Sequence, residues 1–348
     1  MPAPRSRVTL TQVAKHANVS RMTASYAYNQ PGRVSEESKR RVFDAARQLG
    51  YAGPDPSARS LRRGSAGAIG VALGERLTYA FDDPQATAFL AGVSEVCARN
   101  ALALTILPIS DAPTDHDRIR VAAVDGYIFW TTYDDSPLID AALATQRPVV
   151  VHGGPRVDGA QLVSIDNHAA AQTIGRIGLT ESTSPIVLSF PVSAERRAAT
   201  VQARQLDEVT FPVTRDRLHG FRAAAVEKGL NWDDMSVIAC SHNDAAEAQA
   251  RLNALLESGV QPDAILAMSD ELAAGAMRAL QAADVSQFVA ITGWDDSAIA
   301  AQLGITTVKQ SLRQQGAMCA RVAIEGASVN EPSAWDIVER ESTNHQRK

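Results

Sequence analysis

The sequence has few cysteines, no long apolar run and no apolar leader. Its three cysteines, Cys97, Cys240 and Cys319, are far apart and lack paired metal-ligand spacing, which predicts buried, reduced thiols. No run of about eighteen apolar residues is present, so no membrane-spanning helix is predicted. The N-terminal stretch is charged and has no apolar core, so it does not resemble a signal peptide, and we expect a cytoplasmic protein.

The sequence also lacks the motifs of common enzyme classes. It contains no G-x-x-x-x-G-K-[ST] phosphate loop and no G-x-S-x-G nucleophile elbow. The glycines of GAIGVALG (67–74) lie before and within a predicted strand, so they do not form a dinucleotide fingerprint. The seven histidines show no metal-ligand spacing. We therefore expect no catalytic residue, no cofactor and no metal, and a protein that is not an enzyme.

Charge is unevenly distributed along the chain. At 348 residues the chain exceeds the usual limit of one hydrophobic core, so more than one domain is expected. Residues 1–64 hold twelve basic and four acidic side chains, a net charge of +8, whereas the remainder carries −13 of the overall −5. A compact basic module joined to an acidic body is the electrostatic pattern of a DNA-binding head.

Two short helices around a tight turn are predicted in this basic module. Thr9 and Ser20 are suited to cap them, the chain turns through 18–19, and the second helix spans about 21–29. The first helix has an apolar face formed by Leu10, Val13, Ala14 and Ala17. In the second helix we expect Ala24 and Tyr28 to be buried. Two such helices predict a helix-turn-helix.

A third helix is predicted from Ser35 to Leu49, ended by Gly50. Its acidic first turn suits the positive end of a helix, and we expect it to bury Val42, Ala46 and Leu49. The alternative is that 35–50 is only a solvated basic helix.

The start of the second helix is predicted to read DNA, because these residues meet base edges in a helix-turn-helix. Arg21 could donate two hydrogen bonds to guanine, whereas Met22 offers only apolar contact, for instance to a thymine methyl. Ser25 and Tyr26 lie one turn later, and Thr9, Thr23, Asn29 and the Lys39–Arg41 cluster suit phosphates. The predicted DNA contacts of the head are Thr9, Ser20, Arg21, Met22, Thr23, Ser25, Tyr26 and Asn29.

Two segments, at 8–51 and 54–71, begin VTLTQVAKHANVSRMTASYAYNQ and PDPSARSLRRG. They resemble the head and hinge of the LacI/GalR family of regulators. The resemblance is dense over 8–74 and continues more loosely to ERES at 339–342, which is similar to that family's final strand. Many members carry Arg where this chain has Tyr26, so the operator sequence does not carry over.

The predicted hinge, 56–64, is too short to be a stable helix alone in water. The resemblance implies that two such segments, one from each subunit, fold together in the minor groove with Leu61 wedged between base steps. The minor-groove contacts implied are Ala58, Leu61 and Arg62. The alternative is a flexible linker with incidental arginines.

From residue 68 onwards, short β-rich runs alternate with helical stretches, which predicts parallel sheets covered on both faces. Ten strands are predicted: 68–73, 102–107, 126–130, 148–152, 162–165, 185–190, 235–240, 264–268, 288–292 and 336–341. So many strands favour two sheets over one. The fold class expected is an all-α helix-turn-helix head with an α/β body.

The resemblance implies that this body is periplasmic-binding-protein-like, with two doubly wound parallel-sheet lobes, three crossovers and a ligand in the cleft between them. The expected boundaries are a head at 1–55, a hinge at 56–64, and lobes at 65–166 and 167–295. The first lobe is completed by about 296–328 and the second by about 329–343.

Polar loops follow most predicted strands, where open α/β sheets bind ligands. By resemblance, Asp166, Arg217 and Asp295 are similar to family ligand contacts, and Ser269 stands where many sugar-binding members have Asn. Tyr79, Phe89 and Trp294 could supply an apolar or stacking face. Each acidic strand-end residue is also a candidate helix cap. These residues suit a sugar or nucleoside, but also a small acid.

The segment 191–214 is longer than the usual connection, and 195–206 within it could form a helix. This segment could cover the cleft or form a surface excursion.

We therefore expect a sequence-specific transcriptional regulator, a repressor in preference to an activator, that binds double-stranded operator DNA as a homodimer under effector control. The C-terminal tail has no heptads, so no tetramer is expected. The alternative is an architectural DNA-binding protein or activator with a vestigial or differently used sensor. The sequence leaves open the effector, the operator and regulated genes, and whether the effector acts as inducer or corepressor.

Overall fold

The computed structural model describes residues 8–53, 64–74, 81–109, 112, 114–205, 209–285 and 289–344. The chain divides into two compact units, Met1–Gly67 and Ala68–Lys348, which we call the head and the body. The predicted contacts Ala58, Leu61, Arg62 and Tyr79 lie outside the described residues. Among the helices of the described ranges, none has both the length and the apolar character needed to cross a bilayer.

In the described residues of the head, 8–53 and 64–67, there are three α-helices, and side-chain caps define where each begins. They are α1 Leu10–His16, α2 Arg21–Asn29 and α3 Glu36–Leu49. Thr9 forms a capping box with Gln12, and the Ser20 and Ser35 hydroxyls each accept from a backbone amide three residues later. The left-handed Gly50 ends α3.

Small side chains form the core of the head. The buried residues are Val13, Ala14, Ala17, Ala24, Ala27, Val42, Ala45 and Ala46. The sequence placed Tyr28 and Leu49 among the buried positions, but both are only half-buried at the margin of this cluster. The Tyr28 ring instead packs edge-on against Phe43 and Tyr51, with centroids 5.0 and 5.9 Å apart. Closely packed helices leave room for alanine at the crossing and push the large ring outwards.

The first lobe of the body is built on a five-stranded parallel sheet of order β2-β1-β3-β4-β5. The strands are β1 Ala68–Leu73, β2 Ala103–Pro108, β3 Gly126–Trp130, β4 Val149–His152 and β5 Gln161–Val163. The helices along this part of the chain are α4 Pro84–Arg99, α5 Asp115–Val121 and α6 Pro137–Leu143. Apolar side chains on the two faces of the sheet form two separate core clusters, as expected for a sheet covered on both sides.

The second lobe is built on a seven-stranded sheet of order β12-β11-β10-β9-β6-β8-β7. Its strands are β6 Pro185–Ser189, β7 Ala199–Gln202, β8 Ser236–Ala239, β9 Ala264–Ala267, β10 Ala290–Trp294, β11 Thr306–Lys309 and β12 Asp336–Val338. The remaining helices are α7 Asn167–Gly178, α8 Pro212–Glu227, α9 Ala245–Glu257, α10 Asp270–Ala282, α11 Ala298–Leu303 and α12 Leu312–Glu325. The two edge strands, β7 and β12, run antiparallel to their neighbours.

Two strands were not predicted from the sequence. The range 195–206, expected as a possible helix, contains β7, whose pairing with β8 overrides the local helical composition. The strand β11 is a run of only four residues with two threonines, and its pairing with β10 stabilises it.

The expected lobe boundaries need one correction. The sequence assigned 296–328 to the first lobe, but β11 pairs with β10 in the second, so only α12 from that range joins the first lobe. The chain therefore crosses between the lobes near 164–166, at 310–311 and within 326–335.

Candidate DNA-binding face and effector cavity

The N-terminal turn of α2 presents two side chains that packing within the head does not explain. Arg21 is exposed and forms no side-chain hydrogen bond or ion pair within the described part of the chain. Met22 is 63% exposed although it is apolar. An exposed methionine beside an exposed arginine suits a surface that meets both an apolar methyl and a hydrogen-bond acceptor.

The other predicted head contacts also have structural roles. The Ser20 hydroxyl accepts from the Thr23 amide at 2.9 Å, so both residues hold the start of α2. The side-chain amide of Asn29 donates to the backbone carbonyl of Ser25 at 3.0 Å. The Arg33 guanidinium lies over the ring of Tyr26 at 5.7 Å. Thr9 is exposed at the start of α1, where it forms the capping box with Gln12.

Arg41 has a different role from the one predicted. The sequence grouped it with Lys39 as a phosphate contact, but its guanidinium donates to the carbonyls of Ala17 and Asn18 at 2.7 and 2.9 Å. Asn18 has a positive φ of 50° in the turn between α1 and α2. Arg41 therefore connects α3 to the turn before α2 and so helps to fix the orientation of α2, the helix predicted to contact bases.

A cavity of about 140 Å³ lies between the two lobes of the body. Its wall includes the carboxyl ends of β3 and β4 from the first lobe and of β6 and β10 from the second, as open α/β sheets predict. Its apolar side chains are Trp130, Ile165, Phe190, Phe211, Val213 and Leu312. Its polar ones include Asp83, Thr132, His152, Asn167, Arg196, Arg217, Asn243, Asp295, Gln310 and Gln315.

Arg217 is the central cation of the cavity. It is buried on α8, donates from Nε to Asn167 Oδ1 at 3.0 Å, and donates from Nη1 to the Met268 carbonyl at 2.5 Å. The guanidinium also lies 3.8 Å from the ring centroid of Trp294. Burial lowers the pKa of Arg217 to about 10, so it stays charged at neutral pH.

A glycine one turn along α8 permits this arrangement. A Cβ at Gly220 would collide with the His168 carbonyl oxygen on α7. Glycine therefore lets α8 approach α7, the helix that begins with Asn167, and the two partners Arg217 and Asn167 meet. This explains the R-x-x-G spacing in RLHGF in physical terms.

Asp295 is the acidic partner in the same wall. It follows β10 with a φ of +110°, in the left-handed half of backbone space, and its Oδ1 accepts from Gln310 Nε2 at 2.7 Å. Burial and then the carboxylate of Asp270 raise the pKa of Asp295 well above its ordinary value, whereas Arg217 opposes that shift.

Four side chains form a hydrogen-bonded chain across the lobes. His152 Nε2 donates to Gln315 Oε1 at 2.8 Å, Gln315 Nε2 donates to Gln310 Oε1 at 3.0 Å, and Gln310 donates on to Asp295. Burial lowers the pKa of His152 to about 4, so this imidazole is neutral at pH 7. The chain passes through the crossover at 310–311 and so connects the two lobes at the cavity.

The structure brings Arg217 and Asp295 together, but it places the other described effector candidates elsewhere. Asp166 is exposed, and its carboxylate accepts from the Ala169 amide as the cap of α7, the alternative that the sequence left open. Phe89, Ser269 and Trp294 are buried and are not part of the cavity wall. Phe89 stacks on Trp130 at 5.3 Å, Ser269 caps α10, and Trp294 supports Arg217.

Sequence reasoning missed Asn167, His152, Gln310 and Gln315. Asn167 is the residue after the predicted Asp166, in the segment SIDN at 164–167. The prediction therefore indicated the right loop but the wrong side chain. Gln310 follows β11, which was not predicted, so no strand end marked its position.

A head with a helix-turn-helix, carried by the same chain as a two-lobed body around a cavity lined by both apolar and polar side chains, defines a DNA-binding transcriptional regulator with a ligand-binding domain. Comparison with known proteins agrees. The chain belongs to the lacI family of bacterial regulatory proteins, whose model matches residues 9–53, and a periplasmic binding protein domain model matches 135–328.

The relatives extend over almost the whole chain. It is 33% identical over 322 residues to the HTH-type transcriptional regulator Rv3575c of Mycobacterium tuberculosis, covering 90% of each chain. The crystal structure of a LacI family regulator from Corynebacterium glutamicum is 27% identical and has a TM-score of 0.71, with 98% and 99% coverage. The complex of the regulator CelR with cellobiose, at 23% identity and TM-score 0.65, covers 97% of this chain and 100% of its own, and supports the fold alone.

Proposed function

We propose that this regulator is a cytoplasmic repressor that binds palindromic operator DNA as a homodimer, and that a sugar-like molecule in the body cavity controls its DNA affinity. On this proposal it acts by binding and not by catalysis. The observation that carries the proposal is the presence of Arg217 and Asp295 in the wall of one cavity, on a chain that also has an exposed helix start at Arg21 and Met22.

The cavity chemistry favours a sugar over a nucleoside or a small acid. Sugar hydroxyls both donate and accept, so they suit a wall in which Arg217 donates and Asp295 and Asn243 offer oxygen atoms. Trp130 and Phe190 add flat apolar surface for the C–H face of a ring. Because its pKa is raised, Asp295 is protonated more readily, and a neutral carboxyl group costs less to bury than a carboxylate. The CelR structure, which holds cellobiose, is a precedent within the same fold.

The head supplies the DNA half of the proposal. In a helix-turn-helix the start of the second helix enters the major groove, so Arg21 and Met22 would contact base edges, with Ser25 and Tyr26 one turn later. Thr9, Thr23 and Asn29 would position the head on phosphates. A dimer would present two such helices to the two halves of a palindrome.

The effector acts by changing the angle between the lobes, which moves the two segments that join body to head within the dimer. Ligand and operator are then linked by a coupling free energy of about 1–3 kcal/mol. The hydrogen-bonded chain from His152 to Asp295 lies where the lobes must move relative to each other, so an effector that contacts Asp295 also disturbs the contact between the lobes.

Binding of labelled operator with and without sugar tests this function. The Asp295→Ala variant should bind DNA as tightly as the original chain without ligand, because Asp295 belongs to the body, and it should lose the response to sugar. A variant that still responds normally would remove Asp295 from the site. A sugar that binds the cavity and leaves DNA affinity unchanged would favour an architectural role.

A further inference from the structure

The described parts of the long segment 191–214, residues 191–205 and 209–214, contribute to the cavity wall. Pro191, Arg196, Phe211, Val213 and Thr214 all line the cavity. The ends of the segment are tied together, since the Thr210 amide donates to the Val192 carbonyl at 2.9 Å. Pairing of β7 with β8 anchors its middle to the edge of the sheet.

The same segment reaches across to the first lobe. The Arg196 guanidinium donates to the Gly74 carbonyl at 2.8 Å, at the end of β1. It also lies over the ring of Phe211 at 4.8 Å. Nearby, the Asp134 amide donates to the Thr210 carbonyl, and Arg215 forms an ion pair with the Asp134 carboxylate. Contacts with both lobes therefore hold the described parts of this segment at the cavity wall.

A second, much smaller hollow of about 10 Å³ lies on the other side of Arg196 and Phe211. The two hollows share Thr131, Thr132, Arg196 and Phe211 in their walls. Beyond this shared wall the small hollow is bounded by Gly74, Ile109, Tyr133, Ser136, Leu138 and Ala194. Arg196 and Phe211 therefore form part of the wall that the two hollows share.

We propose that Arg196, stacked on Phe211, is a specificity-determining residue that limits the effector to a single six-membered ring. This inference rests on the proposed sugar-binding function of the cavity. A dry cavity of about 150 Å³ accommodates benzene, so the present 140 Å³ is about the size of one ring. Truncating Arg196 would remove its stem and guanidinium from the shared wall and enlarge the cavity on that side.

The test compares one-ring and two-ring sugars on the full chain. Thermal shift and titration calorimetry are run with a panel of pyranose monosaccharides and cyclic polyols, and with cellobiose. The original chain should be stabilised by at least one single-ring compound and should bind cellobiose at least about tenfold more weakly, a factor equivalent to about 1.4 kcal/mol. Arg196→Ala should reduce that ratio by about tenfold or reverse it.

Arg197→Ala is the matched control, because the neighbouring Arg197 is exposed and lies outside the cavity wall; it should keep the original ratio. If Arg196→Ala does not fold, Arg196→Gln keeps part of the stem and should give an intermediate ratio.

Equal binding of cellobiose and the best single-ring compound to the original chain would overturn the size limit while leaving the proposed function intact. An unchanged ratio in both Arg196 variants would do the same. If no sugar of either size stabilises the chain, the proposed effector class is wrong and this inference falls with it.

Discussion

The reading face of the head and the cavity of the body place their functional side chains in opposite ways. In the head, Arg21 and Met22 are adjacent in sequence, exposed, and held by local caps. In the body, Arg217, Asp295 and Gln310 come from distant segments and meet only through tertiary packing. The comparison teaches that substitutions at a local surface site cost little stability, whereas substitutions in a buried polar site also remove contacts that stabilise the fold.

Arg217→Ala should destabilise the body strongly, and far more than the loss of an exposed side chain. Removing the guanidinium leaves two buried acceptors, Asn167 Oδ1 and the Met268 carbonyl oxygen, without their donor, which costs about 1–3 kcal/mol of unfolding free energy for each. Urea unfolding of the full chain measures this. Arg222→Ala, at an exposed position on the same helix, is the control and should stay close to the original stability. Equal stability of both variants would contradict the account of the cavity.

Arg41→Ala should show that the head also depends on one long-range contact, the one between α3 and the turn before α2. The two hydrogen bonds from Arg41 to the turn carry a charged donor, and their loss should cost about 1.5–3 kcal/mol in the head. We expect weaker binding to every DNA sequence, measured by fluorescence anisotropy, with effector binding unchanged. Arg47→Ala, at an exposed position on the same helix and outside the Lys39–Arg41 cluster, is the control and should keep the turn intact. If Arg41→Ala loses DNA affinity with no loss of stability in the head, Arg41 is an ordinary phosphate contact.

Arg21→Ala should affect recognition and leave folding alone. We expect a loss of roughly 1–3 kcal/mol of binding to the preferred operator and relaxed base preference at one position in each half-site. Binding to a set of single-base operator variants measures both effects, alongside an unchanged melting temperature. An equal loss on all sequences would show that Arg21 contacts only phosphates.

The pH dependence of stability should reveal the buried imidazole of the body. Because the pKa of His152 is lowered to about 4 in the folded chain, the unfolded chain binds more protons between about pH 6.5 and 4. Acid should therefore destabilise the original chain relative to His152→Gln across this window, by about 3 kcal/mol in total. Comparing the two chains cancels the opposite contribution of Asp270, whose pKa is raised to about 6. Parallel stability curves would place His152 in a solvated setting.

How much could be predicted from sequence follows the same division. Caps at Thr9, Ser20 and Ser35 and a glycine stop are local signals, so the three head helices were predicted nearly residue by residue. Alternating strands and helices indicated two mainly parallel sheets. In the cavity, the family resemblance indicated Arg217 and Asp295, but Asn167, His152 and Gln310 depend on where distant strand ends meet. Asp166 shows the limit most clearly, since capping and ligand binding use the same acidic residue type at a strand end.

The central claim is that a basic three-helix head and a closed sugar cavity on one chain make a ligand-controlled operator-binding protein. The most direct measurement is selection of genomic DNA fragments by the purified full chain at moderate salt, with and without the sugar panel. The account predicts enrichment of palindromic fragments and a change in their retention of about 5- to 150-fold with the effective sugar. Enrichment of no fragment in any condition would contradict it.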